Sequence, residues 1–264
     1  MAMKQRYIPI LLLLVSCQEV IERPLEADAR DIIAVEAVLT NENINHQVRL
    51  THPYAKQNGQ AVVASGAQVT LTDGTSLYPL VEFPSSSGEY YSEPFIAVVG
   101  RQYGLEIRYQ GRVYTAIDQS QGVEPLEEIV YEPVAEGGYQ LIFRETGSLP
   151  HYITHHINWQ HTSACTTAPC QGAVVQYDLK TVDAHEAFKP EKIPFVFPGG
   201  SLIVRRKYSV SPGYRAYLRA ILSETEWRGG VFDVEPANAP TNLSPGAVGY
   251  FAVTSVVADT TLLQ

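Results

Sequence analysis

The first half of the chain contains short runs in which apolar and polar residues alternate, and turn residues separate the runs. Residues 67–72 alternate and lead into the Asp-Gly dipeptide at 73–74, which is typical of a hairpin turn. Residues 103–109 alternate as regularly and are followed by a second run at 112–116. Because successive side chains on a strand point to opposite faces, the pattern predicts half-buried strands. Turns at intervals of about ten residues predict a β-sandwich over residues 31–117.

The second half combines further strands with one amphipathic helix. Residues 118–134 are acidic, contain two prolines and are predicted to be a linker. Ser211 is a favourable N-cap and precedes a proline at the first helical position, which predicts a helix over about 211–225. The chain is therefore predicted to be mainly β, with two β-sandwich-like domains, the second of which (135–264) carries this helix. Apolar residues recur at the spacing of one helical face at Tyr214, Tyr217, Leu218 and Ile221.

The N-terminal residues have the pattern of a targeting segment. Lys4 and Arg6 precede an apolar run at 8–15 that is too short to cross a bilayer as a helix, so residues 1–16 are predicted to be a signal peptide. The run ends in Leu-Val-Ser before Cys17, which resembles a bacterial lipobox. That resemblance implies cleavage before Cys17 and acylation of its thiol and new amino group. The alternative is cleavage elsewhere, with Cys17 uninvolved. Residues 17–30 are predicted to be a tether.

Charge and cysteine content narrow the classes of partner. The formal net charge is −9, which argues against nucleic acid as a partner because phosphate binding requires a basic surface. Besides Cys17, the chain has Cys165 and Cys170, separated by four residues. Such a pair can close a local disulfide in an oxidising compartment. The alternative is half of a metal site, although the sequence has no second cysteine pair.

The sequence gives little support for catalysis or for a cofactor. His151, His155, His156 and His161 lie within eleven residues, but a strand would place His151 and His155 on one face and His156 on the other. A zinc site needs three or four converging ligands, so a solvated or cross-strand-paired histidine strip is favoured over a metal site. Glu127-Glu128 is interpreted as a solvated charge pair in the linker. No nucleophile elbow or nucleotide-binding loop occurs, and no cofactor is predicted. An enzyme remains the least favoured hypothesis.

Aromatic residues provide the better candidates for ligand binding. Tyr90 and Tyr91 would point to opposite faces of a strand, so at least one of them is a candidate for exposure. Phe188, Phe195 and Phe197 lie in a segment rich in proline and glycine. Aromatic-rich loops on a β-sandwich are plausible contact sites for a partner or a sugar, and burial in the core is the alternative for each residue.

Several segments of the chain together resemble one known family. They are the lipobox at Cys17 and residues 34–42, 65–74, 87–93, 100–116, 211–221 and 243–256. The last two of these segments are the most specific. Through them the chain resembles a family of Bacteroidota outer-membrane lipoproteins catalogued as domain of unknown function 4249. The N-terminal half also resembles an Ig-like, carboxypeptidase-regulatory-like β-sandwich.

The resemblance implies a partner and a location. Members of this family are typically encoded beside TonB-dependent receptors, so the expected function is that of a lipid-anchored accessory protein, without catalysis, that helps such a receptor capture substrate or stabilises the complex. The alternative is a stand-alone surface lipoprotein that binds a glycan or a peptide. An acidic residue close behind the acylated cysteine resembles a surface-export signal, and Glu19 fits it. The cell surface is therefore expected, with the periplasmic face as the alternative.

Overall fold

The structure is a computed structural model that describes residues 32–54, 61–135, 137–144, 147–190, 193–230 and 238–263. The predicted signal peptide (1–16), Cys17 and the tether (17–30) lie outside the described residues. Their processing and acylation therefore stay predictions. Among the described residues, no helix is long and apolar enough to span a membrane.

The larger of the sheets contains nine strands within the described part of the chain, and its labels follow chain order. The predicted alternation is confirmed in its strands, where buried and solvent-facing residues take turns. In spatial order the strands are β14 (Ala247–Thr254), β1 (Ile33–Thr40), β2 (Gln47–His52), β6 (Glu89–Ser92), β5 (Leu77–Glu82), β4 (Gln68–Thr72), β7 (Gln102–Tyr109) and β8 (Arg112–Gln119), and β3 (Val62–Val63) pairs with β2.

This first sheet curls until its two edge strands, β8 and β14, nearly meet. Its inner face is an apolar core to which both halves of the chain contribute, including Leu50, Ile107 and Phe251, all of them buried. The gap between β8 and β14 is bridged by residues 241–244. There the Ser244 N–H donates to the Thr115 carbonyl over 2.8 Å, and the Asn242 side-chain amide donates to the Ile117 carbonyl over 3.0 Å.

Strand β14 is the clearest departure from the order of the sequence. It belongs to the half predicted as a C-terminal domain, yet it pairs in parallel with β1, from Ile33 opposite Ala247 to Thr40 opposite Thr254. The division into 31–117 and 135–264 as separate domains stays a prediction, but the first sheet is completed by a strand from the second half. Strand periodicity records which face of a strand is buried and does not record which strand lies beside it.

The second sheet is antiparallel and has four strands in the described residues. A small hairpin precedes it, and its first strand lies within the segment predicted to be a linker. The sheet consists, in spatial order, of β12 (Gln171–Asp178), β11 (His151–Asn158), β13 (Leu202–Ser209) and β15 (Val256–Leu262), and the hairpin consists of β9 (Tyr131–Pro133) and β10 (Tyr139–Leu141).

The predicted helix is confirmed as α2 (Pro212–Glu224), which follows the one-turn helix α1 (Ala184–Ala187). The Ser211 hydroxyl caps α2 by accepting a hydrogen bond from the Tyr214 N–H over 3.2 Å. The buried stripe is rotated slightly from the predicted one, because Leu222 is buried whereas Ile221 is 37% exposed. The helix packs on the outer side of β14, against Tyr250 and Ala252.

The connection between the sheets gives the molecule two distinguishable ends. β1 starts at Ile33, beside Ala247, and ends beside Thr254, where β14 passes through Ser255 into β15 of the second sheet. The end of the first sheet at which the N-terminal segment enters is therefore opposite the end from which the second sheet begins. We call the far end of the second sheet the distal end. There the strand termini Asn158, Gln171, Leu202 and Leu262 lie side by side.

Candidate binding site

The loop between β11 and β12 projects from the distal end and is closed by a disulfide. The predicted bond between Cys165 and Cys170 is confirmed, with 5.5 Å between the two Cα atoms. At the neck of the loop, the Trp159 N–H donates to the Cys170 carbonyl over 3.0 Å. The Thr162 N–H and hydroxyl both donate to the Trp159 carbonyl, over 3.0 and 2.9 Å. These bonds fix the main chain that carries the Trp159 indole.

An open cavity of about 370 Å³, here called the tip cavity, lies beside this loop. Three segments that are distant in sequence form it: the start of β10, the segment 196–199 and the disulfide loop. Two reciprocal main-chain hydrogen bonds between Tyr139 and Phe197, of 2.8 and 3.0 Å, join the first two segments. The His161 Nε2 lies 2.8 Å from the Gly200 carbonyl and ties the disulfide loop to them. The lining residues are Gly137, Gly138, Tyr139, Trp159, Ala164, Val196, Phe197, Pro198 and Gly199.

The chemistry of the tip cavity is aromatic and uncharged. Among the described lining residues none is Asp, Glu, Lys, Arg or His, and Trp159 and Tyr139 are half-buried. Neither the Trp159 indole N–H nor the main-chain N–H and C=O of Gly199 has a hydrogen-bond partner in the described part of the chain. Gly138 has φ +95°, and a Cβ there would lie 2.9 Å from the Phe197 carbonyl oxygen, so glycine is required at this close approach. The arrangement offers flat rings with free polar groups at their edge.

A second open cavity, of about 550 Å³, lies on the opposite face of the second sheet. It combines polar side chains, notably His156, Asn158 and Gln171, with an apolar floor formed by Leu202 and Val204. Nearer the first sheet, the core beneath α2 covers this face of the second sheet and includes Tyr152 and Tyr177. The distal end is thus the part of the second sheet that presents concave surface on both faces.

The predicted histidine strip is divided between the two faces of β11, as expected. His151 and His155 are buried, whereas His156 is exposed on the face of the second cavity. β11 ends at Asn158, so His161 belongs to the disulfide loop and does not extend the strip. Within the described ranges, no three His, Cys, Asp or Glu side chains come together as a metal site would require.

The aromatic candidates separate into core and surface residues. Tyr90 is buried in the first core, and its hydroxyl donates to the Ala64 carbonyl over 2.9 Å. The Tyr91 hydroxyl donates to Glu89 on the outer side of the sheet. Phe197 is buried and lines the tip cavity, whereas Phe188 is 55% exposed and lines neither cavity. Phe195 is half-buried and packs 6.2 Å from Trp159, centroid to centroid.

A layer of buried charged side chains lies beneath residues 125–127, and the sequence did not predict it. Lys207 in β13 has no exposed surface, and its ammonium lies 3.3 Å from both carboxylate oxygens of Glu127. The interpretation of Glu127 as part of a solvated charge pair is therefore wrong, because it is the counter-ion of a buried lysine. Arg205, also buried, forms an ion pair with Asp259 on β15. The strand pattern could not reveal this layer, because Lys and Arg at alternate positions usually indicate a solvent-facing side.

The β8 edge of the first sheet and the β12 edge of the second sheet differ in whether another segment covers them. The β8 edge of the first sheet is covered by residues 241–244, as described above. In the described residues, no main-chain hydrogen bond pairs the outer edge of β12, from Gln171 to Tyr177, with another segment. β12 contains no proline and no lysine, two residue types that commonly protect an edge. Its Val175 side chain is 40% exposed. An open edge of this kind is able to pair with an extended segment of another chain.

Comparison with known proteins identifies a family but no activity. The sequence profile described as Domain of unknown function (DUF4249) matches residues 18–260. This is most of the chain and spans both sheets. No curated protein matches the chain.

Proposed function

We propose that this chain, which belongs to the DUF4249 family, is a non-catalytic, lipid-anchored binding module of the outer membrane that works with a TonB-dependent receptor. The observation that carries the proposal is the open distal end of the second sheet, with a β12 edge that no described segment pairs and a cavity on each face. Binding is favoured over catalysis because the distal end offers rings, amides and main-chain groups. The charged residues of the same sheet are engaged in ion pairs, as in Lys207 with Glu127 and Arg205 with Asp259.

The direction of the chain supports anchoring at the other end of the molecule. Cys17 precedes Ile33 by sixteen positions, and Ile33 lies at the end of the first sheet opposite the second sheet. A lipid on Cys17 would therefore attach to the fold through the end of the first sheet that lies away from the distal end. Each buried methylene of an acyl chain contributes about 0.8 kcal/mol to membrane binding, so a multiply acylated cysteine is sufficient to hold a soluble fold there. We place the protein on the cell surface, with the periplasmic face as the alternative.

Replacement of the cysteine tests the anchor. The Cys17→Ala variant is expected to leave the membrane fraction and to retain a folded β-sheet spectrum, because Cys17 precedes the first strand. Fractionation after a high-salt wash and circular dichroism measure the two properties. If the variant still pelleted with membranes after the wash, anchoring through lipid would be wrong.

Co-purification from the native outer membrane tests the partner. We expect the wild-type chain, solubilised in mild detergent, to retain a TonB-dependent receptor that mass spectrometry can identify. The Val175→Lys change on the open β12 edge should reduce receptor recovery. The matched control is Val113→Lys on β8, whose side chain is 48% exposed but whose strand edge is covered. Absence of any receptor with the wild-type chain would refute the partnership. Equal recovery with both variants would refute β12 as the contact surface.

A stand-alone surface binder of glycan or peptide is the second candidate, and the tip cavity favours it. The discriminating measurement is ligand binding by the purified chain in the absence of any receptor. A receptor partner and a ligand of its own are compatible, because the tip cavity and the β12 edge are made of different residues.

A further inference from the structure

We infer that the tip cavity is a binding site for a neutral saccharide. This inference names the substrate class of the binding module proposed above and rests on that proposal. The cavity volume of about 370 Å³ lies within the range of small-molecule sites, about 300–1,000 Å³. Three features restrict the ligand: the ring planes, the free polar groups, and the absence of charged side chains among the described lining residues.

The aromatic rings select for a ligand with a flat, weakly polar face. The face of an indole or phenol ring carries partial negative charge and attracts the C–H groups of a ring placed over it. Trp159 and Tyr139 both contribute to the lining and are half-buried, so part of each ring is available to solvent. A pyranose presents such a C–H face, with its hydroxyl groups around the rim.

The polar groups at the edge of the cavity match hydroxyl groups. A hydroxyl is both a donor and an acceptor, and it is best satisfied where the protein offers both kinds of group. The tip cavity offers the Trp159 indole N–H, the Gly199 N–H and the Gly199 C=O, which have no partners among the described residues. Gly137 and Gly199 are exposed and have no side chain to shield these main-chain groups.

Charge excludes the acidic sugars. Within the described part of the chain, no arginine, lysine or histidine lines the cavity to pair with a carboxylate or sulfate. The whole chain has a net charge of −9, which repels anionic ligands at low ionic strength. The ligand class that remains is a neutral saccharide, with one or two rings over Trp159 and Tyr139.

The cavity is also held in shape before a ligand arrives. The disulfide loop is tied to Gly200 through His161, and the main chain of Trp159 is fixed by hydrogen bonds to Cys170 and Thr162. A site whose rings are already positioned loses less conformational entropy on binding. This preorganisation favours measurable affinity from a small contact area.

The tryptophan content of the chain provides a direct assay. The chain has two tryptophans, and Trp227 is buried in the core beneath α2 with 3% exposure. A ligand in the tip cavity should therefore change the fluorescence of Trp159 and leave that of Trp227 unaffected. The full chain in mild detergent is titrated with cellobiose, maltose, lactose, mannobiose and chitobiose up to about 20 mM, a range that detects affinities weaker than millimolar. Binding is confirmed independently by saturation-transfer NMR.

We expect at least one of these neutral disaccharides to bind. Trp159→Ala should weaken that binding by at least about 10-fold, because it removes the ring and the N–H together. Trp159→Phe keeps a ring and should give an intermediate loss in the NMR experiment. Phe188→Ala, which removes an exposed ring outside both cavities, is the matched control and should bind as the wild type does.

Three outcomes would overturn the inference: no response to any neutral disaccharide, undiminished binding by Trp159→Ala, or binding of a proline-rich peptide in place of the sugars. Co-purification tests the receptor proposal separately. If Trp159→Ala still co-purifies with the receptor, the partnership stands whatever the sugar titration gives. If the purified wild-type chain binds sugar and no receptor is recovered, the saccharide site stands and the partnership fails.

Discussion

The ammonium group of Lys207 and the carboxylate of Glu127 lie 3.3 Å apart and join the second sheet to the segment that connects the two halves of the chain. Lys207 is completely buried, and the Pro125 carbonyl accepts a further hydrogen bond from it over 3.1 Å. A buried ammonium without a counter-ion is costly, so this contact holds residues around 125–127 against the sheet.

Glu127→Gln is expected to lower the free energy of unfolding by about 2 kcal/mol, because it removes the carboxylate charge in contact with the buried Lys207 ammonium. This is less than for a fully buried pair, since the Glu127 side chain is 39% exposed. The measurement is urea denaturation at neutral pH. Glu128→Gln, at the next and exposed position, is the control and should be neutral. Equal effects of the two variants would contradict a specific role for Glu127.

Acidification is expected to destabilise the protein through the buried histidines of β11. Burial, followed by the nearby Arg205 charge, lowers the pKa of His155 to about 4, and burial also lowers the pKa of His151. The folded state thus favours neutral rings. Stability is complete above the unfolded value of about 6.5 and is lost as the pH falls from there towards 4. Asp259 and Asp178 face these rings and moderate the loss.

The share of His155 in this effect is bounded by its pKa shift, which corresponds to at most about 3.4 kcal/mol. Denaturation curves at several pH values should show a slope that His155→Gln reduces. His156→Gln, on the exposed face of the same strand, is the matched control for the loss of an imidazole. A stability that is flat between pH 6.5 and 4 would contradict the assignment.

Gly249→Ala is expected to prevent normal pairing of β14 with β1. Gly249 has φ +96°, and a Cβ at this position would lie 2.1 Å from the Val35 carbonyl oxygen. Backbone must move to relieve this contact, so a loss of more than about 4 kcal/mol or a failure to fold is expected. Thermal unfolding and soluble yield measure it. Gly122→Ala, where a Cβ would meet nothing within 4 Å, is the control. A wild-type melting temperature for Gly249→Ala would contradict the observed register.

Reduction of the Cys165–Cys170 bond is expected to cost little stability and to leave both sheets folded. The closed loop is short, with a sequence separation of 5, so the bond restricts the unfolded chain only modestly. Chain-entropy arguments give about 2 kcal/mol for a loop of this size. Thermal scans with and without reductant, paired with thiol alkylation, measure the change, and a Cys165→Ser, Cys170→Ser double variant should match the reduced protein. Global unfolding on reduction would show that the bond does more than close its own loop.

The sequence predicted the features that depend on neighbours along the chain. The N-cap at Ser211 and the apolar spacing after it were sufficient to place α2, because helix capping and one-sided burial both act within a few residues. The opposite orientations of His155 and His156 followed from strand geometry alone. The disulfide between Cys165 and Cys170 was predictable because so short a loop keeps the two thiols close. Packing against β14 shifted the buried stripe of the helix to include Leu222. The spacing of apolar residues could not predict this shift, because it carries no information about the packing partner.

By itself, the sequence thus determined the mainly β class, the positions of most strands, the helix and the disulfide, since each is encoded by residues a few positions apart. Tertiary structure alone decided that β14 would lie beside β1, more than two hundred residues away, and that Lys207 would be buried against Glu127. It also brought Tyr139, Trp159 and Gly199 to one cavity. The reason is physical. An alternating pattern indicates that one face of a strand is buried. Which strand lies beside it, and which groups meet across the interface, depend on how all the elements pack around a common core.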